Sequence, residues 1–152
     1  MKRVRSLVVL LALVAAVPVL AQSQVEITAD QTVMNDAKRE VVFTGDVIVV
    51  HPTVTVWAPE VIATYGEGGT TDIETFVATG GNVRLKTKDQ DATGEHAVYT
   101  PADQLLRLTG NVTVTNASGT VNATELVVNL ATNVSTFTST GGGRVTGVFT
   151  SQ

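Results

Sequence analysis

His51 and His96 are the residues best equipped for proton transfer or metal ligation, and they stand far apart in the chain. Neither has a further donor at a metal-binding spacing, and a metal site needs three or four ligands in defined geometry. Glu95 beside His96, and Asp89 with Asp91, are the carboxylates that could work as acid and base. Such pairs act only when they converge in a pocket, and alternation along a strand explains their spacing better. No serine lies in a Gly-x-Ser-x-Gly elbow. No glycine-rich loop ends in the Gly-Lys-Ser/Thr that cradles a nucleotide phosphate. The chain is therefore read as no enzyme, with no catalytic residue, no metal and no cofactor.

The cations offer a different chemistry, the holding of anions. Lys38, Arg39, Arg84, Lys86, Lys88 and Arg107 are the candidates. Arg84, Lys86 and Lys88 alternate, which places them on one face of a strand. The plainest reading of that face is a solvated exterior. The overall charge points away from polyanions, with 10 Lys+Arg against 14 Asp+Glu.

Three of those cations belong to a leader. Lys2, Arg3 and Arg5 precede an apolar run from Leu7 to Val17, and Val19-Leu20-Ala21 follows. This is the pattern of a secretory signal peptide, residues 1–21, cleaved after Ala21. An uncleaved anchor would want about 20 apolar residues. The mature chain, 22–152, then keeps seven cations against 14 anions, a formal charge of −7. Nucleic acid wants a basic footprint, and anionic membrane surfaces attract basic segments, so neither is an expected partner. The chain has no cysteine. Disulfides and a lipidated cysteine are thereby excluded, and stability has to come from burial.

What remains is the chemistry of apolar contact, and it recurs with a period. Thr-Gly pairs fall at 44–45, 79–80, 109–110 and 140–141, so the glycines are 35, 30 and 31 residues apart. A spacing of this kind decides the architecture. Gly45-Asp46-Val47-Ile48-Val49 and Gly110-Asn111-Val112-Thr113-Val114 each read as a tight bend running into a strand. Alanines open each unit at Ala29, Ala58, Ala92 and Ala123. Five and seven residues later come Met34 and Asp36, Ala63 and Tyr65, Ala97 and Tyr99, and Val128 and Leu130, each pair on one strand face. The residues two positions before the alanine, Ile27, Val56, Gln90 and Val121, break that parity, so a bulge is expected near it.

Val and Thr are abundant, and their branched Cβ suits a pleated surface. No window sustains a 3.6-residue apolar pattern. The chain reads as all-β with little or no helix: an open antiparallel β-jellyroll of about four stacked repeats of about 30 residues. Each repeat runs strand, turn, strand, Gly bend, strand. Gly66 to Asp72 is read as an inserted, mobile loop. The inward set is Val41, Phe43, Val47, Val49, Val61, Tyr65, Phe76, Val83, Leu85, Tyr99, Leu106, Leu108, Val112, Val114, Leu126, Val128, Leu130 and Phe137. No unit buries such a face alone, so the stack must share one interior. Its ends fall near Val25 to Thr28 and Gly143 to Phe149, edges open to copies or partners. Trp57 follows the inward Val56 and is expected to face out, marking a contact surface or lying across a sheet edge.

Five blocks carry a family resemblance: Ile27-Thr28-Ala29-Asp30, Phe43-Thr44-Gly45-Asp46-Val47, Val56-Trp57-Ala58-Pro59-Glu60-Val61, Leu108-Thr109-Gly110-Asn111-Val112 and Val121-Asn122-Ala123-Thr124-Glu125-Leu126. In this order they resemble the LptA/OstA-like family of periplasmic lipopolysaccharide-transport proteins, over essentially the whole mature chain. The resemblance implies a β-jellyroll that holds lipopolysaccharide acyl chains between its sheets, which makes the inward set the lipid-binding interior. It also implies a periplasmic location, end-to-end self-association, an inner-membrane LptC-like partner and an outer-membrane LptD-like translocon. The chain departs from the pattern at the Gly66 to Asp72 loop and at Ala92-Thr93-Gly94, which lacks an acidic residue or Pro after the alanine. The alternative is a structural or adhesive all-β envelope repeat protein without lipid cargo.

Overall fold

The computed structural model describes residues 25–140 and 143–150. The expected signal peptide lies outside them, as do Gly141 and Gly142 of the fourth Thr-Gly bend. The strands are β1 Glu26–Thr28, β2 Gln31–Asn35, β3 Glu40–Val50, β4 Thr55–Tyr65, β5 Ile73–Thr79 and β6 Val83–Lys86. They continue as β7 Gln90–Gly94, β8 His96–Thr100, β9 Leu105–Asn116, β10 Gly119–Asn129, β11 Val134–Thr138 and β12 Thr146–Phe149. All pair antiparallel in one hydrogen-bonded system. The only helical piece among the described residues is a single 3-10 turn, Gly69–Thr71.

Four strands, β3, β4, β9 and β10, are 11 or 12 residues long and change partner halfway. The first half of β3 pairs with β2 and its second half with β1. β4 pairs first with β6 and then with β5, β9 first with β8 and then with β7, and β10 first with β12 and then with β11. Each long strand thus leaves one layer and enters the other. One layer holds β2, β5, β8 and β11, and the other holds β1, β6, β7 and β12. The faces between them carry the alternate residues of every strand.

The crossing points are the bends anticipated from the sequence. Gly45 and Asp46 have φ of 84° and 44°, and Gly110 and Asn111 have φ of 83° and 46°. Successive left-handed residues suit Gly followed by Asp or Asn. The β3–β4 register skips between Thr44 and Val47, and the β9–β10 register skips between Ala123 and Glu125. The residue after each corner closes over the next bend. Asp30 covers Gly45, Pro59 covers Gly80 and Glu95 covers Gly110, so closely that a Cβ on any of these glycines would collide with them. Asp30 N donates to Thr44 O at 3.0 Å, and Glu95 N donates to Thr109 O at 2.9 Å. At the fourth corner, Thr124 Oγ1 donates to Thr138 O at 3.0 Å and accepts from Thr140 N at 2.8 Å.

The Gly66 to Asp72 segment, expected as an inserted loop, carries backbone hydrogen bonds of its own. Gly66 N donates to Asp72 O at 2.9 Å, and Asp72 N donates back to Gly69 O at 2.9 Å. Thr71 Oγ1 donates to Gly68 O at 3.2 Å. The three glycines let the backbone fold tightly enough to satisfy itself, so the loop is a closed knot of hydrogen bonds. Lys88 departs from expectation. β6 ends at Lys86, and Thr87 N bonds Gln90 O at 2.9 Å, so Lys88 sits in a turn and does not continue the Arg84–Lys86 strand face.

Candidate functional site

Of the inward set, Val41, Val47, Val49, Val61, Tyr65, Val83, Leu85, Leu106, Leu108, Val112, Val114, Leu126 and Val128 are buried. Phe43, Phe76, Tyr99, Leu130 and Phe137 are half-buried and pack against them. One cluster draws on both layers, from Val47 and Val83 on one side to Leu108 and Leu126 on the other. A second, Val41, Ala63 and Tyr65, lies toward the β2 end, and Phe43 and Phe76 touch both. The inward set omitted Val54, Ala58, Ala63, Ala78, Ala92, Ala97 and Ala123, all buried, as is Val56, read as inward beside Trp57. The alanines were visible as unit openers or face positions but are too small to stand out as core residues.

No polar or charged side chain is buried among the described residues. The two layers therefore meet through dispersion and the hydrophobic effect, with no polar side chain buried between them. The interior also runs out at both ends. Met34 is paired opposite Val41, so it shares the inner face, yet it is 57% exposed. Phe149, opposite Gly119, is 62% exposed. Both lie on strands that pair on one side only among the described residues.

The corners join the layers along one side. On the other side lie the turns, and there the interior has a mouth. His51 meets Tyr99 edge-on at 5.9 Å between ring centroids, and Tyr99 stacks on Phe76 at 6.2 Å. Behind them a cavity of about 40 Å³ is lined by Val25, Val49, His51, Val54 and Val56 from one layer. Val61, Phe76, Ala78, Ala97, Tyr99, Leu106 and Leu130 line it from the other. A water needs about 10–15 Å³ of such space, so this cavity takes a few waters and no acyl chain. Burial pushes the His51 imidazole below its ordinary pKa and the Tyr99 phenol above its own. His51 Nδ1 accepts from Thr53 N at 3.2 Å and lies 2.9 Å from the Thr53 hydroxyl.

The outer face holds the other residues singled out by sequence. Trp57 is half-buried beneath Arg84, whose guanidinium carbon is 5.2 Å from the ring centroid. Arg84 Nε donates to Asp91 Oδ1 at 3.0 Å, and the second nitrogen donates to Oδ2. That pair holds the Asp91 carboxyl below its usual range. No group of three or more His, Cys, Asp or Glu side chains that could hold a metal ion forms among the described residues.

Residues 26–134 match the family described as LptA/(LptD N-terminal domain) LPS transport protein. The chain belongs to that family of lipopolysaccharide-transport proteins. No curated protein matches the sequence. Among solved structures, the fold is similar to that of LptH, the LptA-homologous periplasmic component of the lipopolysaccharide transport device of Pseudomonas aeruginosa. The TM-score is 0.71 at 18% identity, over 84% of this chain and 96% of that one. The LptA-like fold is thus reached with a largely different set of side chains, and what the two share is the all-β architecture.

Proposed function

We propose that the mature chain is a periplasmic bridge module that carries lipopolysaccharide from the inner to the outer membrane, with acyl chains held between its layers. The observation that carries this reading is the apolar interior, which has no buried polar side chain among the described residues and reaches both ends at Met34 and Phe149. Membership of the transport family supports it. Each methylene moved from water into such an interior is worth about 0.8 kcal/mol. That term has no direction, so the lipid can slide along the interior without breaking specific bonds. The open edges β1, β2, β11 and β12 suit end-to-end pairing with copies, with an LptC-like protein at the inner membrane and with an LptD-like translocon at the outer membrane.

The resting cavity is too small for an acyl chain, so loading has to part the layers. A filled interior is also what a structural envelope protein without cargo would have, and this is the second reading. Photo-crosslinking separates the two. A photoreactive residue at Leu106 or Val112 should capture lipopolysaccharide, and one at the outward Thr113 should not. A folded protein that gives no adduct at any of the three positions is a structural module.

A further inference from the structure

We propose that the depression between the His51 to Thr55 turn and the Lys86 to Asp89 turn is the subsite for a phosphorylated headgroup, belonging to the same lipid whose acyl chains enter the interior. The inference rests on the lipid-carrier reading above and adds to it a defined place for the head. His51, Val54 and Leu130 line both the apolar cavity and this open depression. The two spaces adjoin at these residues, the cavity lined by apolar side chains and the depression open to water. The depression is walled by Lys86 and Lys88 together with the hydroxyl-bearing Thr53, Thr55 and Thr87. An amphiphile that passes its chains inward beside Val54 leaves its head among these groups.

The ion pairs single out these lysines. Among the six cations considered from sequence, Arg39 is paired with Glu67, Arg84 with Asp91 and Arg107 with Glu125. Lys86, Lys88 and Lys38 have no carboxylate within 4.0 Å among the described residues. Lys38 stands on the turn between β2 and β3, and Lys86 and Lys88 line the depression. Asp89 lies in the same depression. Asp91 is opposite Lys86 in the β6–β7 register, but its carboxylate is held by Arg84. Two lysines and one aspartate line the depression, a net positive balance on a mature chain of charge −7.

The chemistry of the depression favours phosphate. Ammonium is a compact point charge that can approach a tetrahedral oxyanion from any side, and hydroxyls can add hydrogen bonds. A planar carboxylate would be better met by the fork of an arginine, and no arginine lines the depression, Arg84 being committed to Asp91. The site is open to solvent, so the attraction is screened over about 8 Å at physiological salt.

The test compares retention of diphosphoryl lipid A and of fully dephosphorylated lipid A by native mass spectrometry. Wild type should retain the phosphorylated lipid at least fivefold better at low salt, with the preference shrinking as salt rises. Lys86→Gln with Lys88→Gln should abolish the preference and leave retention of the dephosphorylated lipid unchanged. Lys38→Gln should leave the preference intact. An equal loss in Lys38→Gln, or equal retention of both lipids by wild type, overturns the headgroup subsite while the carrier reading stands. Competition by inorganic phosphate alone at millimolar concentration also overturns it, since the depression would then be a free-anion site. Wild type that retains neither lipid overturns the carrier reading and the subsite with it.

Discussion

Leu108 lies on the backbone of Gly94, so that a Cβ at position 94 would come within 2.6 Å of Leu108 Cδ1 and 3.2 Å of Thr109 O. Leu108 is fully buried, and Gly94 is the last residue of β7, at a corner between the layers. The glycine is there for space, because the core side chain occupies the place of its missing methyl.

Gly94→Ala is therefore expected to cost about 1–3 kcal/mol through overpacking, and Leu108→Ala about 2–5 kcal/mol through the cavity it leaves. Chemical denaturation of both single variants and the double variant checks the contact itself. The double variant should be more stable than the sum of the two losses implies, because the alanine methyl can enter the vacated volume. Gly143→Ala, where a Cβ meets only ordinary contacts, should change stability by no more than about 0.5 kcal/mol. Strict additivity at 94 and 108 would mean the contact is not felt.

His51 predicts a pH dependence with a definite sign. Burial lowers its pKa in the fold below the ordinary value of 6.5, so the unfolded chain binds the proton more readily. Stability should be flat with respect to this group above pH 6.5 and should fall as pH drops through that value toward the folded pKa. His51→Gln should flatten the slope in thermal melts taken across this window. An unchanged slope would assign it to the carboxylates.

The interior should tolerate changes of shape better than changes of polarity. Leu106→Met conserves volume and is expected to cost less than about 1.5 kcal/mol, with lipopolysaccharide retention close to wild type. Val112→Asp places a charge where no partner exists and should lose the lipid along with stability. Co-purified lipopolysaccharide, assayed beside circular dichroism, reads the two effects separately. Lipid loss in a folded Leu106→Met variant would point to a shaped pocket and away from a sliding interior.

The exposed Met34 end should be sensitive to charge. Met34→Lys puts an ammonium group on the open edge β2, a device that blocks strand pairing. Sedimentation at rising protein concentration should show association in wild type and a several-fold weaker tendency in the variant. Association that is unaffected by the lysine would place the contact elsewhere.

The parts of this fold legible in the sequence are those fixed by local rules. Gly45-Asp46 and Gly110-Asn111 announced left-handed bends because few other residue pairs accept positive φ. Period-two alternation marked Val47, Val49, Val112 and Val114 as inward, and they are buried. What stayed hidden depends on where a strand finds its partners. Nothing in Thr109-Gly110-Asn111 says that β9 crosses between layers there, because the crossing is defined by pairing with β8 before it and β7 after it. Val54 lies in a turn, where alternation gives no signal, and it is buried all the same. The Gly66 to Asp72 loop carried the composition of an insertion, and composition says nothing of the backbone bonds that close it. The depression proposed for the headgroup was legible only in part. Its cations read as a solvated strand face until the ion pairs removed Arg84 and the turn carried Lys88 to the depression.

The corners have a mechanical consequence. Four strands carry covalent chain from one layer into the other on the same side of the molecule, so the layers cannot come apart there. They can only swing like the covers of a book about its spine, with the widest gap at the turns. On the proposed carrier reading, a guest entering between the covers would bend the spine and leave the hydrogen-bonded ladders within each cover whole. On its departure the same apolar surfaces would fall back into register, with no need for the module to unfold.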